Sequence, residues 1–402
     1  MSKKNTKFNY GWVILTILCL GLALANYSQY QVSAFGTQIT AEMNLSATQF
    51  STIATGPLIP GIFLSLVSGL LVDKFGARKI LTISVIITCL GAVLRVFTTS
   101  FLPMYLCMIC IGVCATFLNA NTPKILGQWF SPTTMSLGMS FFLAASNIGI
   151  TLGQGTSSLY SGMKGAFIGS AVMAVIILLL WIFLMRERPV AKEEEGEKIS
   201  LIEGLKVVVK SKTGWLAAIT LFLSAGSMTS LSNFLPQALH GEQGYSEASA
   251  SVVTMALTFG SMVGCFISPY IYKLFKSQKV YFAVYGLVGA LGYVFAWQLT
   301  PNPIITFILL FITGVGCNGF APMIMSMPVQ DPKIGTKYGG TAGGFVATVQ
   351  LGGSVLIPTY VIAPICQTAT GVNFHLMFGL FAVMMIVFIV CAMFLPNKKA
   401  AN

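Results

Sequence analysis

Long apolar runs recur along this chain with a regularity that leaves few folds open to it. Twelve stretches, near residues 11–34, 49–72, 80–98, 102–126, 135–157, 165–185, 214–238, 248–272, 280–299, 303–325, 339–362 and 372–395, each hold about twenty predominantly apolar residues. That is the length of helix that crosses a hydrocarbon layer about 30 Å thick. Only 8% of the residues are charged and 55% are hydrophobic, whereas soluble domains carry roughly 25% charged residues. So little charge cannot cover a water-facing surface. A β-barrel is excluded by pattern: barrel strands alternate apolar and polar residues over about ten positions, and Ala171–Leu184 is almost unbroken apolar sequence. A continuous run satisfies its backbone in lipid by coiling into a helix. The expected fold class is an all-α membrane protein of twelve transmembrane helices.

The formal charge of +12 is not a nucleic-acid surface, because its placement follows the loops. With the N-terminus in the cytoplasm, 21 of the 23 Lys and Arg residues fall on the inner side and only Arg95 and Lys164 on the outer. The positive-inside rule then puts both termini in the cytoplasm. Residues 1–25 resemble a secretory leader, with Ala23-Leu24-Ala25 as a cleavage site. Cleavage would remove the first span and unbalance the topology, so that segment is expected to stay as a helix. The nine cysteines lie in or at the ends of spans, and no disulfide is expected.

The spans divide six and six. Residues 1–185 form an N-terminal half, 186–212 a cytoplasmic linker and 213–402 a C-terminal half, the organisation of transporters whose halves are related by an axis along the membrane normal. The linker carries Glu193-Glu194-Glu195 and a stretch, Ile199–Lys210, expected to be a short amphipathic helix.

The loop after span 2 runs Gly69-Leu70-Leu71-Val72-Asp73-Lys74-Phe75-Gly76-Ala77-Arg78-Lys79. Gly69 would let two helices approach closely, Gly76 would permit a tight turn, and the basic residues hold the loop inside. Asp73 is placed to cap the N-terminus of span 11 near Tyr338 and Gly339. The run resembles the G-x-x-x-D-[RK]-x-G-x-[RK]-[RK] signature of the major facilitator superfamily at every specified position, and the twelve-span topology extends that resemblance over the whole chain. It implies the major facilitator fold and makes Gly69, Asp73, Lys74, Gly76, Arg78 and Lys79 part of the gate that closes the cytoplasmic side.

Narrower resemblances point to carriers of small anions. Gly91-Ala92-Val93-Leu94-Arg95 with Gly112, Asn119 and Pro123-Lys124 is similar to cyanate and 2-nitroimidazole porters. Ser146-Asn147-Ile148-Gly149 with Gln154 is similar to part of the nitrate/nitrite porter signature, although Ser65 and Gly264 stand where those porters place arginines. Pro123-Lys124 and Trp129-Phe130 resemble oxalate/formate and monocarboxylate porters. The drug/proton antiporter pattern in span 5 lacks its proline.

In the superfamily, spans 1, 4, 7 and 10, with parts of 2, 5, 8 and 11, line the cavity. The resemblance therefore makes Asn26, Tyr27, Tyr30, Asn119, Asn147, Asn233 and Gln350 candidate solute-binding residues; each is equally readable as an interhelical hydrogen bond. Arg95 either snorkels to the outer headgroups or attracts an anion entering from outside. All eleven acidic residues lie in loops or at span ends, which argues against cation carriage and against a carboxylate proton relay. Gly314-x-Gly316-x-x-Gly319 lies inside span 10 with no strand before it, so its glycines are expected to pack helices rather than bind a dinucleotide. Cys107, Cys110 and Cys114 share a face of span 4 without His or acidic partners, so no metal and no cofactor is expected; there is no phosphate-binding G-x-x-x-x-G-K-[ST] loop.

The expectation is a monomeric secondary transporter, not an enzyme, that moves a small organic anion or weak acid across the bacterial cytoplasmic membrane by alternating access, as antiport or symport, with solute and lipid as its partners. A neutral metabolite and a transporter-like nutrient sensor are the alternatives. The topology has a direct check. In a background stripped of native cysteines, Gly241→Cys should react with an impermeant thiol reagent from outside and Ser277→Cys should not; the opposite labelling would invert the orientation.

Overall fold

Helices fill each of the twelve expected segments in the computed structural model, which describes residues 10–130, 132–186, 201–272, 274–275, 277–295, 302–328, 331–334, 338–368 and 371–394. Span 1 is Gly11–Ala34; span 3 is Ala77–Leu94, extended by a turn at Arg95–Phe97; span 4 is Phe101–Trp129; span 5 is Pro132–Gly155 and span 6 is Met163–Leu184. In the second half, span 7 is Lys212–Gln243, span 8 Glu247–Tyr272, span 9 Gln278–Phe295 and span 12 Phe374–Met393. Eight of the described helices are long and apolar enough to cross a membrane.

Spans 2, 10 and 11 are interrupted, and the interruptions have local causes. Span 2 starts at Ser46, whose hydroxyl accepts from Gln49 N while the Gln49 side chain accepts from Ser46 N, a reciprocal cap of two otherwise unpaired donors. It runs Ala47–Thr55, tightens at Gly56–Leu58, and resumes as Ile59–Phe75. Pro57 sits in the tightened turn, where its missing N–H and ring forbid the regular ladder. Span 10 breaks after Pro303–Asn318 and continues as Ala321–Ser326. Span 11 is Gly339–Leu356, widens to a π turn at Ile357–Ile362 and ends at Ala363–Cys366. A two-stranded antiparallel ribbon, Gln367–Thr368 with Gly371–Val372, links it to span 12.

The two sets of six helices make the same neighbour pairs: 1 with 5, 2 with 4 and 3 with 6 in the first set, and 7 with 11, 8 with 10 and 9 with 12 in the second. Glycines set the closest of these crossings. A Cβ at Gly149 of span 5 would lie 2.4 Å from Ala23 O of span 1, and one at Gly353 of span 11 would lie 2.2 Å from Phe222 O of span 7. At Gly112 of span 4 it would lie 1.9 Å from Pro57 O, and at Gly314 of span 10, 2.0 Å from Leu257 O of span 8. Lipid tails are as apolar as side chains, so helices gain by close backbone approach rather than by hydrophobic burial. Gly314, Gly316 and Gly319 all stand at such contacts and pack helices, as expected.

Two glycines of the loop motif fare differently. Gly76 has φ +88° and turns the chain between spans 2 and 3, a backbone state that favours glycine. The close approach expected at Gly69 is absent: a Cβ there would meet nothing within 4 Å. The contact between Asp73 and the start of span 11 lies outside the described residues, as do linker residues 187–200. The second part of the linker is helical, Leu201–Val209, and rests on the start of span 11. Tyr338 donates to Glu203 Oε1 at 2.8 Å, and Val208 is buried with Ile334 and Ala342. Just beyond, Ser211 donates to Asp331 Oδ2 at 2.9 Å. Partial burial disfavours the Asp331 carboxylate, but hydrogen bonds from Lys333 N and from the Ser211 and Thr213 side chains, with the Lys333 charge, outweigh it and hold its carboxyl below the ordinary value.

Gly112→Ala should force spans 2 and 4 apart and cut the yield of monodisperse protein in size-exclusion chromatography, since the obstructing atom is backbone. Gly379→Ala, where an added Cβ meets open space, should leave the yield unchanged or raise it.

Candidate functional site

A cavity of about 390 Å³ lies between spans 1, 2 and 4 of the first half and span 11 of the second. Its polar lining is Asn26 and Gln29 from span 1, Ser65 from span 2, Thr116 and Asn119 from span 4, and Thr348 from span 11; the rest is glycine and small or apolar side chains. None of the lining residues is charged. Asn26 and Gln29 stand three apart, on one face of their helix. Glycines widen the wall: added Cβ atoms at Gly343 and Gly344 would meet nothing within 4 Å.

The end of the molecule remote from the basic loops is closed by hydrogen bonds that cross between the halves. Ser33 donates to Asn233 Oδ1 at 2.8 Å, Ser251 to Ala34 O at 3.0 Å, and Ala47 N to Gln367 Oε1 at 2.7 Å. The Thr359 hydroxyl, on the π turn of span 11, lies 3.1 Å from Ser51 Oγ and 3.3 Å from Thr55 Oγ1. Gln38 donates to the Glu247 carboxylate, Thr258 to Gln154 Oε1 at 2.7 Å, and the Phe50 and Phe234 rings meet edge to face at 5.7 Å. Toward the basic end, Gly69, Gly343 and Gly344 all border open space.

The structure gathers only part of the expected residue set at the cavity. Asn26 and Asn119 line it. Tyr27 instead meets Tyr160 and Thr156, each at 3.2 Å between hydroxyls, and Tyr30 packs beside Gly153 of span 5. Asn147 donates to Leu143 O of its own helix at 3.2 Å. Asn233 belongs to the far-end seal. Gln350 precedes the wall residue Leu351 but is not itself among the lining residues. Gln29, Ser65, Thr116 and Thr348 join the cavity instead. For Gln29 a signal was present, its three-residue spacing from Asn26; Thr116 and Thr348 are too common within membrane helices to stand out.

Arg95 calls for a correction. It neither snorkels outward nor lines the cavity; its side chain is 0% exposed. Nη1 donates to Ser28 O, and Nη2 to Gln31 Oε1 and Ser170 Oγ, all at 2.6 Å, while the guanidinium lies 4.3 Å over the Phe167 ring. Three acceptors and a ring face replace much of what water would have given, with Nε left unpartnered, and the charge turns inward and ties spans 1, 3 and 6 together.

Residues 13–358 match the Major Facilitator Superfamily. The chain belongs to this family. Among superfamily relatives, a hexuronate transporter of Bacillus subtilis is 27% identical over 61% of this chain and 61% of its own length, so the chain spans under two thirds of that relative. A probable sulfoacetate transporter of Cupriavidus necator is 22% identical over 84% and 83%, and a probable nitrate/nitrite antiporter of Thermus thermophilus is 22% identical over 92% and 88%. Of superfamily structures, the nucleoside transporter NupG superposes with a TM-score of 0.78 at 14% identity, covering 96% of this chain and 98% of that one. A bacterial homolog to the human lysosomal transporter Spinster, inward-facing and occupied, gives 0.77 at 15% over 95% and 96%. Relatives of this chain are named as transporters, and those named for hexuronate, sulfoacetate and nitrate/nitrite are small-anion porters.

Arg95→Met should strand Gln31 Oε1 in the interior and remove the bonds to Ser28 O and Ser170 Oγ, at about 2–4 kcal/mol for lost buried charge-assisted hydrogen bonds. The melting temperature in detergent should fall by several degrees while the properly folded fraction keeps its solute affinity. An unchanged melting temperature with lost affinity would return Arg95 to the solute path.

Proposed function

We propose that this chain is a secondary transporter carrying a small organic anion or weak acid across the bacterial cytoplasmic membrane by alternating access, with both termini in the cytoplasm. The observation that carries this is the uncharged cavity of amides and hydroxyls, closed on one side by hydrogen bonds between the halves. A cation entering that cavity would exchange its water shell for carbonyl and hydroxyl oxygens alone, with no carboxylate among the lining residues to balance it. An acid finds donors in Asn119, Ser65 and Thr348. Relatives named for hexuronate, sulfoacetate and nitrate/nitrite support an acidic solute.

The seal suits a gate. Each neutral hydrogen bond contributes about 1 kcal/mol net, so a handful can be exchanged for others when the halves rock about the cavity. The backbone contacts of Gly112, Gly149, Gly314 and Gly353 lie within each half and have no need to break. With the basic loops in the cytoplasm, the arrangement described is open inward and closed outward. A neutral solute is the second reading, favoured by the lack of Lys or Arg on the cavity wall.

Proteoliposomes offered a panel of labelled small acids, cations and sugars, with pH and membrane potential varied separately, should accumulate acids. Accumulation confined to cationic solutes, or to a neutral sugar or nucleoside, would overturn the proposal.

A further inference from the structure

The cavity's amides are not interchangeable donors and acceptors, because their outer partners fix which way each faces. Asn26 Nδ2 donates to Leu22 O at 3.0 Å and to Ser146 Oγ at 3.1 Å. A backbone carbonyl only accepts, so the nitrogen must be the atom turned toward Leu22, and both of its N–H groups are spent. What remains for the cavity is Oδ1. Gln29 follows it in part. Its Nε2 donates to Ala54 O at 3.4 Å, another group that only accepts, and Oε1 has no hydrogen-bond donor among the described residues. Thr116 donates its single hydroxyl proton to Gly112 O at 3.1 Å, which leaves oxygen lone pairs for the cavity its side chain lines. Asn26 and Thr116 therefore present acceptors only, and Gln29 presents its Oε1 with one N–H of Nε2 turned away to Ala54 O. Asn119, Ser65 and Thr348 make no side-chain hydrogen bond among the described residues and keep their donors.

We infer that Asn26, Gln29 and Thr116 form an acceptor face that selects a solute bearing hydroxyl or N–H donors, so that the carried acid is a hydroxy acid and not a simple alkyl carboxylate. This rests on the proposed role of the cavity as the solute site. A bare carboxylate placed against these oxygens is repelled, which turns it toward Asn119, Ser65 and Thr348. The hydroxylated part of the solute then faces spans 1 and 4. A solute without donors displaces water from three acceptors and returns nothing, and selectivity arises from that penalty. Gln29 is only 6% exposed, so little water remains to soften it.

The test compares matched pairs on the full-length protein in proteoliposomes: glycerate against propionate, gluconate against hexanoate, and the neutral pair xylitol against 1,5-pentanediol. Wild type should favour the hydroxylated member of at least one acid pair by about tenfold or more. Gln29→Met and Thr116→Val should each narrow that ratio to about threefold or less, by weakening the hydroxylated member and sparing the other. Thr116→Val keeps the side-chain volume, so it reports even where loss of the Gln29 tie to Ala54 O lowers the folded yield. Equal affinity for both members of every pair, or full selectivity retained by both variants, overturns the acceptor face. Acids bound without selectivity would leave the proposed function standing and this inference fallen. Selectivity confined to the neutral pair would do the reverse.

Discussion

In a hydrocarbon layer no water is at hand to satisfy a polar group, and that single deprivation organises this molecule. Backbone amides meet it by coiling into helices, and polar side chains meet it by finding a partner on a neighbouring helix or on their own. Arg95 is the extreme case. Carried on the last turn of span 3, it is buried without a carboxylate beside it and is held by two oxygens of span 1, one of span 6 and the face of Phe167. The charge is spread over a planar group that each acceptor approaches along an N–H, which a compact ammonium could not reproduce.

The same deprivation removes the force that packs a soluble core. Helices here gain nothing by hiding apolar surface from lipid, so they gain by approach, and approach needs glycine. Gly112 against Pro57, Gly149 against Ala23, and their counterparts Gly314 and Gly353 in the second half put backbone against backbone within each six-helix set. Between the sets, hydroxyls, amides and a ring pair meet along the far end beside a shared apolar cluster. Backbone contacts inside each set and side-chain contacts between the sets meet with the cavity at the seam.

Hydropathy, charge and the loop motif made much of the architecture legible in advance. Twelve helical segments follow from run length, and the family from Gly69–Lys79, whose Gly76 takes the positive φ its position in the motif calls for. The cavity was legible only in part. Asn26 and Asn119 stand where expected, but Tyr27, Tyr30 and Asn147 are engaged with span 5 or their own helix, and Asn233 is in the seal. A polar residue in a membrane span announces that it needs a partner without saying which one.

What the sequence by itself determined is therefore everything that is additive along the chain: which segments are apolar helices, where the basic residues gather, which family the loop motif belongs to. What only the tertiary structure decided is facing. Successive residues of a helix point about 100° apart, so a neighbour's position selects whether Tyr27 or Asn26 meets the cavity, and no sum over the sequence contains that choice. The partners are also remote in the chain. Arg95 is tied to positions 64, 67 and 75 residues away, and Ser33 meets Asn233 across 200. Orientation of an amide is more remote still from the sequence. That Asn26 and Gln29 offer oxygen to the cavity depends on Leu22 O, Ser146 Oγ and Ala54 O standing behind them, and those positions exist only once the helices have packed.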